Sequence, residues 1–345
     1  MKDIGKKQLA FDRRTFLKTT AAAGACLAAG IKFAGAEALG ANSTVYMVKG
    51  SSRVEMIPQL LKMFGQEKWK SGIAGKSVVL KPNFNSAHAF PGSTHPDTLK
   101  ALLGSIRENG PSSLEVIDRA GMGNTEKVMK EIGLQEFAGD YSADLLPYEK
   151  LGADDMIRDK LEGGHWSRGI EWPRKLADAD SIVQTCCLKT HQYGGHFTLS
   201  LKNSVGMVSR FDAKDEYNYM RELHRSEHQR RMIAEINALY HPTLVILDGM
   251  SCFVDGGPHI GTVKEPGVIL ASTDRVALDA VGVAILRHLG TTPQVADGKI
   301  FQLDQIKRAA QLGIGVKSAE NIVIKAPDSN SDQYADTLRN VLAKG

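Results

Sequence analysis

Short apolar runs alternating with helix-periodic segments constrain this chain more than any other feature of its sequence. Residues 44–48, 77–80, 114–117, 144–147, 181–188, 243–247, 268–271 and 322–324 read as strands. Between them, residues 53–69, 96–108, 125–132, 217–239, 275–289, 303–310 and 332–342 read as helices. In the segment 96–108, Leu99, Leu102, Leu103 and Ile106 recur at the spacing of one helix face. Strands separated by helices predict an α/β fold with a mostly parallel or mixed sheet flanked by helices. The expectation is one large domain or two closely packed lobes. With 345 residues, 42% of them hydrophobic, the chain can bury a core that needs no disulfide or zinc staple.

In such sheets ligands bind beyond the carboxyl ends of the strands, so polar residues that follow strands carry most weight. Lys81-Pro82-Asn83 follows the second predicted strand, with His88 and His95 in the loop beyond. Asp118-Arg119 follows the third, Lys189-Thr190-His191 follows Cys186-Cys187-Leu188, and Asp248 follows residues 245–247. Lys81, Lys189, His191 and Asp248 are therefore expected to meet at one rim as catalytic groups. Asn83, His95, Thr198, Lys202, Asn203, Gly256 and Gly257 are expected to hold an anionic ligand there. Lysines at strand ends suit a carboxylate or phosphate, or a base or nucleophile role when desolvated. Solvated turn lysines are the competing reading. A helix opening at Lys202, after Thr198-Leu199-Ser200, would aim backbone N–H groups at an anion.

His191 and His196 bracket Gly194-Gly195, glycines that let backbone approach a ligand and let the loop turn both imidazoles inward. A divalent metal, metal-free proton transfer or ligand binding, and a structural role all fit this pair. His224 and His228, four apart on one predicted helix, would share a face. The arginines around them point to a solvated or anion-facing surface. Gly121-Met122-Gly123 reads as a turn. No P-loop, dinucleotide-binding glycine pattern, His-Glu-x-x-His or Gly-x-Ser-x-Gly occurs, which argues against nucleotide binding, a zincin and an α/β-hydrolase.

The net charge of +4 is unevenly distributed. Residues 1–36 hold seven basic and two acidic side chains, a net of +5, leaving the remainder at −1. A near-neutral remainder gives no electrostatic case for nucleic acid. Asp12-Arg13-Arg14-Thr15-Phe16-Leu17-Lys18 resembles a twin-arginine export signal. It precedes an Ala/Gly-rich stretch and the small-residue site Ala34-Gly35-Ala36. The expectation is a removable signal over residues 1–36, a mature chain 37–345 in the periplasm, and no stable membrane span in it. A cytoplasmic chain with an amphipathic N-terminal helix, and lipidation at Cys26, are the alternatives. Beyond the leader, Cys186, Cys187 and Cys252 form no Cys-x-x-C, so no iron–sulfur motif is present. Adjacent Cys186 and Cys187 read as strand residues facing opposite sides, with a vicinal disulfide or a thiolate ligand as alternatives.

Three segments together resemble the DUF362 family. They are Lys81-Pro82-Asn83, Lys189-Thr190-His191 with residues 198–206, and Leu247-Asp248-Gly249 with Gly256-Gly257-Pro258. Ala277-Leu278-Asp279 fits as well, and the resemblance spans residues 76–290. It implies an α/β fold and leaves the chemistry open. Many relatives carry a ferredoxin-like module, and none is present in this sequence. The mix of Lys and His is also similar to that of nickel-cofactor lactate racemases. The functional expectation is an exported enzyme, dependent on a metal or another cofactor, acting on a small anionic substrate by redox or proton-transfer chemistry. A non-catalytic periplasmic ligand-binding protein, or an accessory to a redox partner protein, is the alternative.

Overall fold

A computed structural model of the chain describes residues 42–345. The expected export signal, residues 1–36, its cleavage after Ala36 and lipidation at Cys26 lie outside the described residues. The strands among the described residues are β1 (Ser43–Lys49), β2 (Ser77–Lys81), β3 (Ser113–Asp118), β4 (Asp144–Pro147), β5 (Met156–Asp159), β6 (Ile170–Pro173), β7 (Ser181–His191), β8 (His196–Thr198), β9 (Leu244–Gly256), β10 (Gly261–Lys264), β11 (Val268–Ser272) and β12 (Ile322–Lys325). The main sheet runs β12-β1-β11-β9-β7-β2-β3-β4, with β8 paired to β7 and β10 to β9. From β9 to β4 neighbours on this path are parallel, whereas β11 runs antiparallel to β9 and β1. The sheet is thus mixed, and β5 and β6 form a separate antiparallel pair.

Helices cover both faces. On one face the helix Arg275–Leu289 packs against Met47, Leu188, Leu247 and Leu270. Twelve of its residues, Arg275 to Leu286, are buried, as expected for an all-round apolar helix inside a large fold. On the other, the helices Arg53–Phe64 and Pro96–Glu108 press Leu60, Leu99 and Leu102 onto Val78, Leu80 and Val116. β7 is buried along all eleven residues, the signature of a strand enclosed on both faces. Cys186 and Cys187 are free, buried thiols at consecutive positions of that strand, so no disulfide joins this pair. Burial pushes the Cys187 thiol up to about 11.

Two predicted helices are each broken in two. Gly65, at φ 111, splits the segment 53–69 into Arg53–Phe64 and Gln66–Ile73. The charged segment 217–239 divides into Tyr219–Arg225 and Gln229–Ile236. Ser226 is extended between them, and its Oγ accepts the His228 N–H at 3.0 Å, a local bond that competes with helix continuation. His224 and His228 therefore share no helix face. His224 Nδ1 lies 2.7 Å from the Met220 carbonyl, and the His228 ring sits 4.3 Å from that of His165.

Strand register places the site. Lys81, the last residue of β2, lies opposite Gln184, so β7 continues seven residues past the end of β2. At about 3.3 Å per residue this projects Lys189 and His191 roughly 20 Å beyond that point. The projection turns back as β8, with Lys189 opposite Thr198 and His191 opposite His196.

Leu102 is fully buried between its helix and the sheet, far in sequence from these projecting residues. Leu102→Ala is expected to lower unfolding free energy by about 2–5 kcal/mol in urea titrations while leaving anion binding unchanged.

Candidate functional site

Behind β8 the chain makes one short helical turn, Ser200–Asn203. Its N-terminus faces a carboxylate of the protein itself. Asp279 accepts the Ser200 and Leu201 N–H groups at 2.8 and 3.0 Å and the Ser200 hydroxyl at 2.5 Å. Burial pushes the Asp279 carboxyl up to about 7 against these three donors. This corrects the expectation that the turn's N–H groups would greet a ligand. Asp279 fixes the turn instead, and the turn carries Lys202 and Asn203.

A cavity of about 50 Å³ opens beside this turn, lined by Asn83, Asp118, Arg119, Lys189, Thr198, Lys202 and Asn203 among others. At roughly 10–15 Å³ per water it has room for about four waters or one small oxyanion. Five expected anion-site or catalytic residues thus meet here: Asn83, Lys189, Thr198, Lys202 and Asn203. Lys81 stands just behind. Its ammonium contacts Asp118 Oδ1 at 2.8 Å, the Pro82 carbonyl at 2.6 Å and Asn203 Oδ1 at 3.0 Å. Burial draws Lys81 down and Asp118 up, each opposed by the other's charge. Lys81 is a fully paired support rather than a free reactive group.

The two lining lysines differ. Lys189, buried completely, donates to the carbonyls of Pro91 and Gly92 at 2.9 and 2.6 Å. Carbonyl oxygens carry no full charge to offset an ammonium, and burial draws Lys189 down to about 8. Lys202 has neither a hydrogen bond nor an ion pair among the described residues, although it is only 9% exposed. Burial, then the charges of Lys189 and Arg119, draw it down to about 7. Nearby Asn83 Oδ1, Thr198 Oγ1 and His191 Nδ1 are buried without hydrogen-bond partners. Buried polar atoms are normally satisfied, so three unmet groups lining one cavity, Asn83, Thr198 and Lys202, with His191 in the adjoining cleft, mark a place for a ligand.

The glycines between the histidines admit side chains of the protein. A Cβ at Gly195 would lie 2.5 Å from Lys202 Cε and 3.1 Å from His191 Nδ1, and one at Gly194 would strike Gln229. Gly195 therefore brings Lys202 and His191 together. Burial and the charges of Lys202 and Lys189 hold His191 well below the ordinary histidine range, so it is a neutral imidazole at pH 7. His191 sits between two wider clefts. The outer cleft, about 750 Å³, shares Lys202 and Arg119 with the inner cavity, and a side cleft of about 310 Å³ holds His196 and Gly256.

Four expected residues lie elsewhere. Asp248 is claimed by Arg53 Nε at 2.8 Å, the Thr98 hydroxyl at 2.6 Å and the Met250 N–H at 3.1 Å, and it does not line the cavity. His95 caps the helix Pro96–Glu108 by accepting the Asp97 N–H at 3.1 Å. Gly257 packs against the Thr190 carbonyl, with φ 71, where a side chain would collide. Gly256, φ 73, opens only onto the side cleft. His191 and His196 are cross-strand partners, and no group of three or more His, Cys, Asp or Glu poised for a metal exists among the described residues. The donor set here does not fit a metal, and the chemistry derived below follows from the chain's own groups. Sequence reading gave Arg119 little weight and Arg210 none. Arg210 shows no motif; only its place after the Ser200–Asn203 turn could have flagged it.

An unpaired buried lysine destabilises the fold. Below pH 7 both folded and unfolded states hold its proton, and the cost of the buried charge is complete. Between pH 7 and the unfolded value of 10.5, the unfolded state binds a proton that the folded state lacks, so stability rises with pH. Lys189 acts in the same direction above about 8. From pH 7 to 8, before the thiols that are buried in the fold ionise in the unfolded chain near 9, the thermal midpoint of ligand-free protein is expected to rise. Lys202→Met is expected to raise stability at pH 7 by roughly 1–2 kcal/mol and to flatten that slope.

Comparison with known proteins places these segments in context. The family described as "Domain of unknown function (DUF362)" matches residues 78–284, more than half the chain. The thylakoid-associated protein sll1697 of Synechocystis is 27% identical over 260 residues, covering 72% of this chain and 75% of that protein. Among solved structures, the lactate racemase apoprotein from Thermoanaerobacterium thermosaccharolyticum aligns with a TM-score of 0.45 at 15% identity. That alignment covers 70% of this chain and 57% of the racemase; a likeness this weak carries no argument about activity. The matched residues run from β2 into the helix Arg275–Leu289 and include Lys81, Lys189, Lys202 and Asp279: the chain belongs to the DUF362 family.

Proposed function

We propose that this protein is an enzyme that seats a small carboxylate in the Lys189–Lys202 cavity and moves a proton at the adjacent carbon. The unpartnered amine of Lys202, set on a largely buried side chain and facing the cavity, carries this reading. An anion entering the cavity supplies the counter-charge that the protein withholds. Lys189 and Lys202 then hold the carboxylate, Thr198 orients it by donating its free hydroxyl, and Asn83 Oδ1 is left to accept from a hydroxyl of the substrate. Charge that develops on the carboxylate oxygens as the neighbouring C–H bond breaks is stabilised by two preset cations in a site of low polarity.

Neutral His191 supplies the proton acceptor through its free Nδ1. Its basicity is coupled to binding. The two lysine charges that depress it are offset once the anion arrives, so the imidazole becomes a stronger base only when substrate is present. We also propose that the protein works outside the cytoplasm, a reading supported by Arg13-Arg14 and the Ala/Gly-rich stretch that follows.

The test is hydrogen exchange in D2O. Purified protein is incubated with a panel of small 2-hydroxy and unsubstituted carboxylates, and proton NMR follows deuterium entering the carbon next to the carboxylate. At least one acid should exchange, with the rate falling about 10²–10⁴-fold in His191→Asn while binding persists. Lys202→Met should abolish binding. Binding without exchange by any acid would replace the enzyme with an anion-binding protein. Binding by none would remove the reading altogether.

A further inference from the structure

The inner cavity is too small for more than an anionic head group, yet it opens into a cleft of about 750 Å³. No Asp or Glu lines that cleft, whereas Arg119, Lys202, Arg210 and Arg221 all do. Elsewhere arginines find carboxylates: Arg53, Arg158, Arg230, Arg308 and Arg339 each form ion pairs with Asp or Glu. The arginines of the cleft do not. Arg119 donates to the carbonyls of Val208, Val205 and Ala120 at 2.7, 3.0 and 3.0 Å. Arg210 reaches only the carbonyls of Ala120 and Gly121, at 3.4 and 3.1 Å. Arg221 has no ion pair among the described residues; its other side borders a neighbouring pocket that holds Asp215 and Glu222.

Carbonyls orient a guanidinium without neutralising it, so positive charge extends from the cavity mouth along the cleft. Apolar surface lies beside it. Tyr193 and Met122 line the same cleft at 53% and 44% exposure, unusual for large apolar groups beside a concave surface. We infer that the substrate is an elongated dianion, with one carboxylate head in the inner cavity, an apolar body along Tyr193 and Met122, and a second anionic group on Arg210. The inference rests on the proposed seating of a carboxylate between Lys189 and Lys202, and it extends that site to a second anchor. Arginine's planar fork suits either a carboxylate or a phosphate-type group at the far end.

Calorimetry at fixed ionic strength tests it with butyrate and hexanoate as monoanions, succinate and adipate as dicarboxylates of the same lengths, and 3-phosphonopropionate as the phosphate-type arm. At least one dianion should bind about tenfold or more tighter than its matched monoanion, the scale of one added charge-assisted contact. Arg210→Ala should erase that advantage while leaving monoanion affinity unchanged, and Arg210→Lys should restore part of it. Arg221→Ala, at an exposed position, repeats the comparison without touching the Ala120 and Gly121 carbonyls. Preference for the phosphonate over the dicarboxylates, or the reverse, identifies the tail. Equal affinity for matched monoanions and dianions, or equal weakening of both by Arg210→Ala, overturns the inference and leaves the inner cavity standing. Dianion binding that survives unchanged in Lys202→Met overturns the inner-cavity reading instead.

Discussion

The ammonium of Lys202, on a side chain only 9% exposed, faces the cavity with no hydrogen bond or opposing charge from the protein. The rest of the site follows from that imbalance. A lysine in this position costs stability, and a chain that keeps one must hold it there by other means. Two devices do so. Asp279 pins the Ser200–Asn203 turn through three hydrogen bonds, and Gly195 leaves the gap through which the lysine stem passes beside His191. Both act at a distance from the amine, so they position it without neutralising it.

The sheet explains why the cations gather. Parallel pairing of β2, β3, β7 and β9 sends their carboxyl ends to one edge, and β7 overshoots its neighbour by seven residues. That overshoot lifts Lys189 and His191 above the rim, where β8 returns Thr198 and the turn returns Lys202. The Lys81–Asp118 pair closes the floor. A buried pair of this kind gives little net stability; here it also keeps Asp118 from neutralising Lys189 or Lys202, since its charge is already spent on Lys81.

Much of this was legible in the sequence, for identifiable reasons. Strand ends are visible as apolar runs that stop, so Lys81, Asn83 and Lys189 could be placed at the rim. Lys202 and Asn203 were visible only as polar residues at the start of a helix. The sequence could not say which polar groups would find partners. Asp248 also follows a strand, yet Arg53, nearly 200 residues earlier in the chain, reaches it. His95 follows a strand loop and becomes a helix cap. Gly257 has the composition of a ligand loop, but the Thr190 carbonyl fills its space. Each of these outcomes depends on long-range contacts that leave no local periodicity. The broken helix at Ser226 was missed for a smaller reason: one hydroxyl bond outweighs the helix propensity of the charged residues around it.

Titration of Lys202 itself tests the central claim most directly. Lysine labelled with ¹³C at Cε, assigned by comparison with Lys202→Met, reports the charge of each amine as pH is raised in ligand-free protein. The account predicts a midpoint near 7 for Lys202 that moves up when acetate is added, because an anion in the cavity stabilises the charged form. A midpoint in the ordinary lysine range, unmoved by acetate, would contradict it.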